Sequence, residues 1–282
     1  MTCTVLGKIT GGVKFFEKNK ALYKDGNTVS ASTGDEASKY IIDINQYTRW
    51  ESVNSNDLTI ESITINLKFS STIDRILLLD HNFKEFTIQY NGTTDFTNVV
   101  GLDALLPGGI SETTFSDNSA YYEFDPVLVS NITITVTKTQ VADQDKYLTT
   151  FIATEEIGTL AGFPRVADVG LNRNIRSAKA LSGKTTIQKS YETIDFRLQF
   201  KTYPIQADID IIDQLHDIEE SFMVWLCGGR RGPDHFTIEQ RGWRLKDVYH
   251  MQIPREVNSD YEKGIYQNGV NKTIAFTEVI PS

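Results

Sequence analysis

The sequence predicts a mainly β protein in two parts: an N-terminal antiparallel β-sandwich, then a C-terminal β-sandwich or α+β domain carrying one helix. Three observations lead there. The chain has 282 residues, more than a single sandwich usually needs, so two units are the natural division. Its abundant Thr, Ile, Val, Phe and Tyr, with 11% aromatic residues, favour strands over helices. Charge is also divided: residues 1–163 hold 12 basic and 21 acidic residues, a net of −9, whereas residues 164–282 hold 16 of each.

Residues 1–25 read as an N-terminal extension of mixed character containing Gly11-Gly12. Strands follow at Leu58–Phe69, Ile73–Leu79, Phe86–Tyr90, Ile132–Val136 and Tyr147–Ile157. In the fourth, Ile132, Ile134 and Val136 alternate with Thr133, Thr135 and Thr137, which puts one face on a core and the other in water. Asn91-Gly92 directly after Tyr90 signals a tight turn with positive φ. No convincing helix is predicted in this half. The Gly/Pro-punctuated segment 158–164 marks a boundary and gives units 26–160 and 161–282.

The second unit opens on an irregular, basic stretch, 165–189. A strand follows over Tyr191–Thr202, where Phe196, Leu198 and Phe200 alternate with Asp195, Arg197 and Gln199. The spacing of Ile211, Leu215, Ile218 and Phe222 predicts a helix over about Ala207–Glu220. Strands at Ser221–Cys227, Phe236–Gln240, Trp243–Ile253 and Val270–Ile280 complete the unit.

Candidate chemistry is sparse. Gly183-Lys184-Thr185 ends like a phosphate-binding loop, but the glycine required at position 178 is Ala178. Asp208, Asp210 and Asp213 suit a helix start, where the dipole favours negative charge, better than a calcium loop. His81, His216, His235 and His250 form no metal-spaced pair, and Cys227 with His235 lacks an orienting third group. Cys3 and Cys227 make no disulfide framework, a single bridge between them stays open, and Cys227 reads as a buried thiol. No secretory signal and no membrane-spanning run is evident, and the acidic first half disfavours duplex nucleic acid. The expectation is a non-enzyme with no catalytic, cofactor-binding or metal site, made in a reducing cytoplasm. The Gly/Pro-rich tip around Arg230-Arg231 is open to two readings, a solvated turn or an intersubunit contact. Arg173, Arg176 and Lys179 form the other candidate interface set, suited to an acidic neighbour.

Two resemblances carry the reading further. The order Val29-Ser-Ala-Ser, Ile41-Ile42-Asp43, Thr48-Arg49-Trp50-Glu51, then Ile63, Ile65, Leu67 and Phe69 at period two, resembles the discoidin (F5/8 type C, galactose-binding-like) family over residues 26–158. That implies a jelly-roll sandwich that holds or recognises something, with Trp50 in its core. The order Phe196-Arg-Leu-Gln-Phe200, a helix, Phe222-Met-Val-Trp225-Leu226, a glycine tip, Arg241-Gly-Trp-Arg-Leu-Lys-Asp-Val248 and Ile274-Ala-Phe-Thr-Glu278-Val279 resembles bacteriophage distal-tail and minor-tail proteins over residues 165–282. This chain departs from that family's usual order, in which the tail-like domain comes first. The tail resemblance implies a virion subunit of a tail tip or baseplate, made in the host cytoplasm. Its partners would be its own copies in a homo-oligomeric ring, a hexamer among the orders that fit, and other tail or baseplate proteins. The discoidin resemblance implies an alternative, a carbohydrate-binding module or adhesin with cell-surface glycans as ligands. Neither implies a cofactor, sequence-specific nucleic-acid recognition or membrane insertion.

Overall fold

A computed structural model describes residues 3–5, 9–11, 13–43, 48–101, 105–106, 108–160, 165–179, 185–200, 206–218, 221–226, 248–253 and 272–279. In chain order the first elements are β1 (Cys3–Val5), β2 (Ile9–Gly11), β3 (Val13–Phe16), β4 (Thr28–Ala31), α1 (Asp35–Ser38) and β5 (Trp50–Glu51). Next come β6 (Glu61–His81), β7 (Phe83–Tyr90), β8 (Val100–Gly101), β9 (Ser111–Glu112), β10 (Ser119–Thr139) and β11 (Tyr147–Thr154). Then follow β12 (Glu156–Thr159), β13 (Arg165–Lys179), β14 (Thr185–Phe200) and α2 (Gln206–Asp217). The last are β15 (Phe222–Leu226), β16 (Val248–Gln252) and β17 (Lys272–Glu278).

The fold is mainly β and antiparallel, as the composition predicts. Its first body is a sandwich built on two 21-residue strands, β6 and β10, which pair along most of their length. Register shifts between Glu123 and Val127 and between Val129 and Asn131 break that pairing in the middle, where bulges let a sheet bend. One half-sheet joins β4, the first part of β6, the second part of β10, β7 and β9. The other joins β5, β11, the second part of β6, the first part of β10 and β8. Both halves contribute to one buried core: Ile63, Ile65, Ile134 and Val136 from the first, Ile76, Leu78, Tyr122 and Phe151 from the second. Asn91 and Gly92 both have positive φ, as the turn chemistry demands. The short helix α1 is an addition that composition did not signal.

The second body is a seven-stranded sheet in the order β12-β3-β15-β16-β17-β14-β13. Its second strand, β3, comes from the start of the chain, paired with β15 on one side and β12 on the other. Residues 13–16 therefore belong to this sheet rather than to a separate extension, and the sandwich is inserted between β3 and β12. The neck of the insertion is tied. Glu17 N–H donates to Glu155 O at 2.9 Å and Lys20 N–H to Ala153 O at 2.8 Å. The buried Asn19 amide donates to Phe151 O and accepts from the N–H groups of Ala21 and Ala153.

Helix α2 covers one face of this sheet, with Ile212 and Leu215 packed among Val13, Phe15, Phe222, Val224 and Phe276. Of the stripe expected from Ile211, Leu215, Ile218 and Phe222, Leu215 and Phe222 are buried while Ile211 and Ile218 are partly so, and Ile212 joins the buried set. Gly158 permits the close approach: a Cβ there would stand 2.6 Å from Ile211 Cγ1. The other face packs on the sandwich, where Phe16, Met223, Trp225 and Val248 meet Leu77, Leu79, Tyr121 and Ile152. The molecule is thus layered: half-sheet, half-sheet, seven-stranded sheet, helix.

Within the stretch 165–189, expected to be irregular, residues 165–179 form β13 and residues 185–189 begin β14, and the two pair antiparallel with register shifts between Val166 and Asp168 and between Asn174 and Ile175. Its sequence lacks clean alternation, and cross-strand backbone pairing supplies the order instead. The strand expected at Phe236–Gln240 lies outside the described residues, as does the first part of Trp243–Ile253.

Candidate functional site

Two surfaces and one buried cluster are candidates. The first surface is the β13–β14 hairpin. Asp195–Phe200 of β14 pairs with β17, but its earlier residues pair with β13 alone. From Leu171↔Ile194 to Lys179↔Thr185, nine residue pairs have no third strand beside them among the described residues. At roughly 3.4 Å per residue this two-stranded ribbon runs about 30 Å beyond the sheet. A lone two-stranded ribbon is marginally stable in water. Arg173, Arg176 and Lys179 all lie on it, opposite Glu192, Gln188 and Thr185. All three thus lie on one strand of the ribbon, β13. Arg230 and Arg231 lie outside the described residues, as do Cys227 and His235.

The second surface is the outer side of the half-sheet that faces away from the seven-stranded sheet. Its positions alternate with the core residues of β6, β10 and β7 and are half-buried or exposed. Thr64 and Thr133 hydroxyls lie 3.2 Å apart across two strands.

The buried cluster sits where the sandwich meets the second sheet. Lys14 of β3 donates to Glu123 at 2.9 Å and to Thr159 at 3.2 Å, and stands 3.8 Å from Glu156. Arg75 of β6 pairs with Glu156 and with Asp74 at 3.4 Å. Tyr121 donates to Glu123 at 2.8 Å, and the Glu156 N–H donates to Asp74 at 2.9 Å. Burial works against the charge on Arg75, but Tyr121, Glu156, Glu123 and Asp74 outweigh it, so its pKa is raised. Burial likewise raises Glu123, yet Lys14 and Arg75 outweigh it and bring its pKa below the ordinary value. Burial dominates at Asp74 and at Tyr121, and raises both. Every acid here has a cation or an N–H against it, which describes a clamp between layers and gives no free base for chemistry.

Among the described residues, no three His, Cys, Asp or Glu side chains converge as a metal would need. Asp208 at the start of α2 is buried, unlike the solvated position expected for it. Trp50 is in the sandwich core, its indole N–H donating to Thr33 O at 2.8 Å. His81 is sealed among Phe83, Phe86 and Phe115, with Nδ1 accepting from Phe83 N–H at 3.0 Å. Burial lowers its pKa to about 3, and burial with Lys24 nearby lowers His250 to about 4. Thr185 of the Gly-Lys-Thr triplet begins a strand, whereas a phosphate loop runs into a helix. No helix among the described residues is long and apolar enough to cross a membrane.

Sequence reasoning missed the clamp and the covered sandwich face. One signal was available: Ile76-Leu77-Leu78-Leu79 is apolar without alternation, and a strand buried on both sides reads that way.

No protein-family model and no curated protein matches the chain. Among solved structures, the N-terminal half is similar to carbohydrate-binding modules. Chitosan-binding module 1 of a Paenibacillus chitosanase/glucanase is 19% identical, with 49% of this chain and 98% of that one covered and a TM-score of 0.39. Module 2 of the same enzyme, solved with chitotriose, is 21% identical over 48% and 98%, at 0.37. The family 32 module of Clostridium perfringens NanJ, solved with galactose, is 18% identical over 51% and 99%, also at 0.37. The likeness is to the sandwich. It lends nothing to the tail-protein resemblance.

Proposed function

We propose that this chain is a non-enzymatic subunit of a larger assembly, of the bacteriophage tail-tip or baseplate kind. In this reading it works in a virion, through contacts with its own copies in a ring and with neighbouring tail proteins. The observation that carries the reading is the β13–β14 ribbon, nine residue pairs long beyond its sheet and without a third strand among the described residues. Such a ribbon gains stability by lying on a neighbour, and its outer strand edge invites pairing. The ribbon bears Arg173, Arg176, Lys179 and Lys189 against Glu192, while the net charge of residues 1–163 is −9. A basic arm reaching the acidic sandwich of the next copy is a head-to-tail contact, the type that closes into rings.

The test is sedimentation of the full chain beside the charge-reversed variant Arg173→Glu/Arg176→Glu/Lys179→Glu. The reading expects a species several times 31.8 kDa for the parent and a shift toward one chain for the variant. A parent that stays at 31.8 kDa up to high concentration contradicts it.

A second reading, a carbohydrate-binding module or adhesin, is favoured by a different feature. The sandwich is inserted on a tied neck, and among the described residues the second body packs on one outer face and not on the other. A displayed sandwich of that kind suits contact with a surface glycan, and in an assembly both roles can coexist.

A further inference from the structure

We propose that the sandwich face on which no described residue of the second body packs is a docking surface for an uncharged polysaccharide chain. The inference deepens the glycan-binding reading and rests on it for the ligand class, but assigns a site on the sheet instead of the loops at one end.

The two half-sheets have different outer faces. One is apolar where Leu77, Leu79, Tyr121 and Ile152 meet the seven-stranded sheet. The other carries short polar side chains in register across the strands. Ser30, Thr64, Thr133 and Gln89 form one row over β4, β6, β10 and β7. Ser62, Thr135, Thr87 and Ser111 form the next over β6, β10, β7 and β9. None of these eight side chains is charged, in a chain with 23% charged residues. Among the described residues, charge stands beside the rows and not in them: in the Lys138–Glu85 pair at 2.7 Å, at Asp35, which accepts from the Ala31 N–H at the β4 edge, and at Glu61, which accepts from Ser32 and Thr33.

That chemistry narrows the partner. A protein interface is anchored by aromatic residues or Arg, and the two rows have neither. An acidic polymer or nucleic acid calls for a basic patch, which is also missing from them. Hydroxyl and amide groups both donate and accept, so the rows complement a ligand that is neutral and dense in hydroxyls. The face also repeats, with roughly 4.8 Å between strands and about 6.8 Å between same-side positions along one strand. Each hydrogen bond made against water competition is worth only about 0.5–1.5 kcal/mol. Binding on this face therefore depends on many contacts along a polymer, and a single sugar is held too weakly to compete.

The test is affinity electrophoresis of the full chain in native gels containing galactomannan, mixed-linkage β-glucan or hydroxyethyl cellulose, with polygalacturonate as the charged control. The proposal expects retardation by at least one of the neutral polymers and not by polygalacturonate, undiminished by excess free galactose. Thr133→Glu/Thr135→Glu should weaken it at least tenfold while the melting temperature stays near that of the parent. Thr64→Glu alone should weaken it several-fold and guards against a misfolded double variant. Absence of retardation by all three polymers overturns the proposal. So does retention of binding in the variants, or full competition by galactose. A loss caused only by Leu58→Ala, at the exposed loop end, would keep the glycan reading and overturn this site. Oligomer formation is read separately by sedimentation, so the assembly reading stands or falls without this result.

Discussion

The sandwich and the seven-stranded sheet solve the same packing problem with different stretches of chain. The sandwich draws its whole core from one continuous stretch, from Ala21 to Ala153. The sheet takes β3 from the beginning of the chain and the rest from residue 156 onward, and so cannot close until the sandwich between them has been spanned. The sandwich is therefore a guest and the sheet its host. A guest with its own core should fold alone, whereas a host missing a strand between β12 and β15 should not.

The largest effect is expected from removing residues 1–16. That deletion leaves Phe222, Val224 and Met223 without Phe15 and Phe16 beside them, and exposes the β12 and β15 edges. The prediction is selective loss of the sheet: limited proteolysis should leave a resistant fragment covering about residues 17–155, with its own cooperative melt. Uniform digestion of both halves would mean that they form one cooperative unit.

Next in size is the clamp. Arg75→Met leaves Glu123, Glu156 and Asp74 short of a buried cation, and breaking such a pair costs about 3–5 kcal/mol. Chemical denaturation should register that loss first in signals from the layer interface, such as Trp225 fluorescence. A change under about 1 kcal/mol would mean that water or a rearranged Lys14 replaces the guanidinium.

A smaller effect is set by pH. His81 belongs to the guest and His250 to the host, and both are held neutral by burial. Their folded pKa values, about 3 and about 4, lie below the ordinary 6.5, so the unfolded chain binds more protons as pH falls. Their stabilising contribution is complete above pH 6.5 and is lost progressively below it. At about 1.4 kcal/mol per proton and pH unit, each costs about 2–3 kcal/mol between pH 6.5 and 4.5. Denaturant midpoints should fall over that range, and His81→Gln should flatten the slope for the sandwich and His250→Gln for the sheet. Midpoints that do not move would contradict the sealed-histidine geometry.

The guest was far more legible than the host. Alternation at Ile132–Val136 and the turn at Asn91-Gly92 follow from local chemistry, the core position of Trp50 was implied by the discoidin resemblance, and the structure has all three. β3 was not legible, because Val13-Lys-Phe-Phe16 is too short to have a period and pairs with β15, which lies some 200 residues further on. The clamp was hidden for the same reason: Lys14, Arg75, Glu123 and Glu156 meet only after four separate strands are assembled. Among the candidate interface residues, sequence found the basic run but not its form. Arg173, Arg176 and Lys179 read as irregular because few apolar residues alternate there, and the order comes from pairing with β14.

The central claim is that the host sheet's ribbon joins copies of this chain. Native mass spectrometry of the full chain, compared with a form in which residues 171–194 are replaced by a short turn, tests it most directly. The account predicts a defined multiple of 31.8 kDa for the parent and a folded single chain for the shortened form. Identical single-chain masses for both, or identical oligomers, would contradict it.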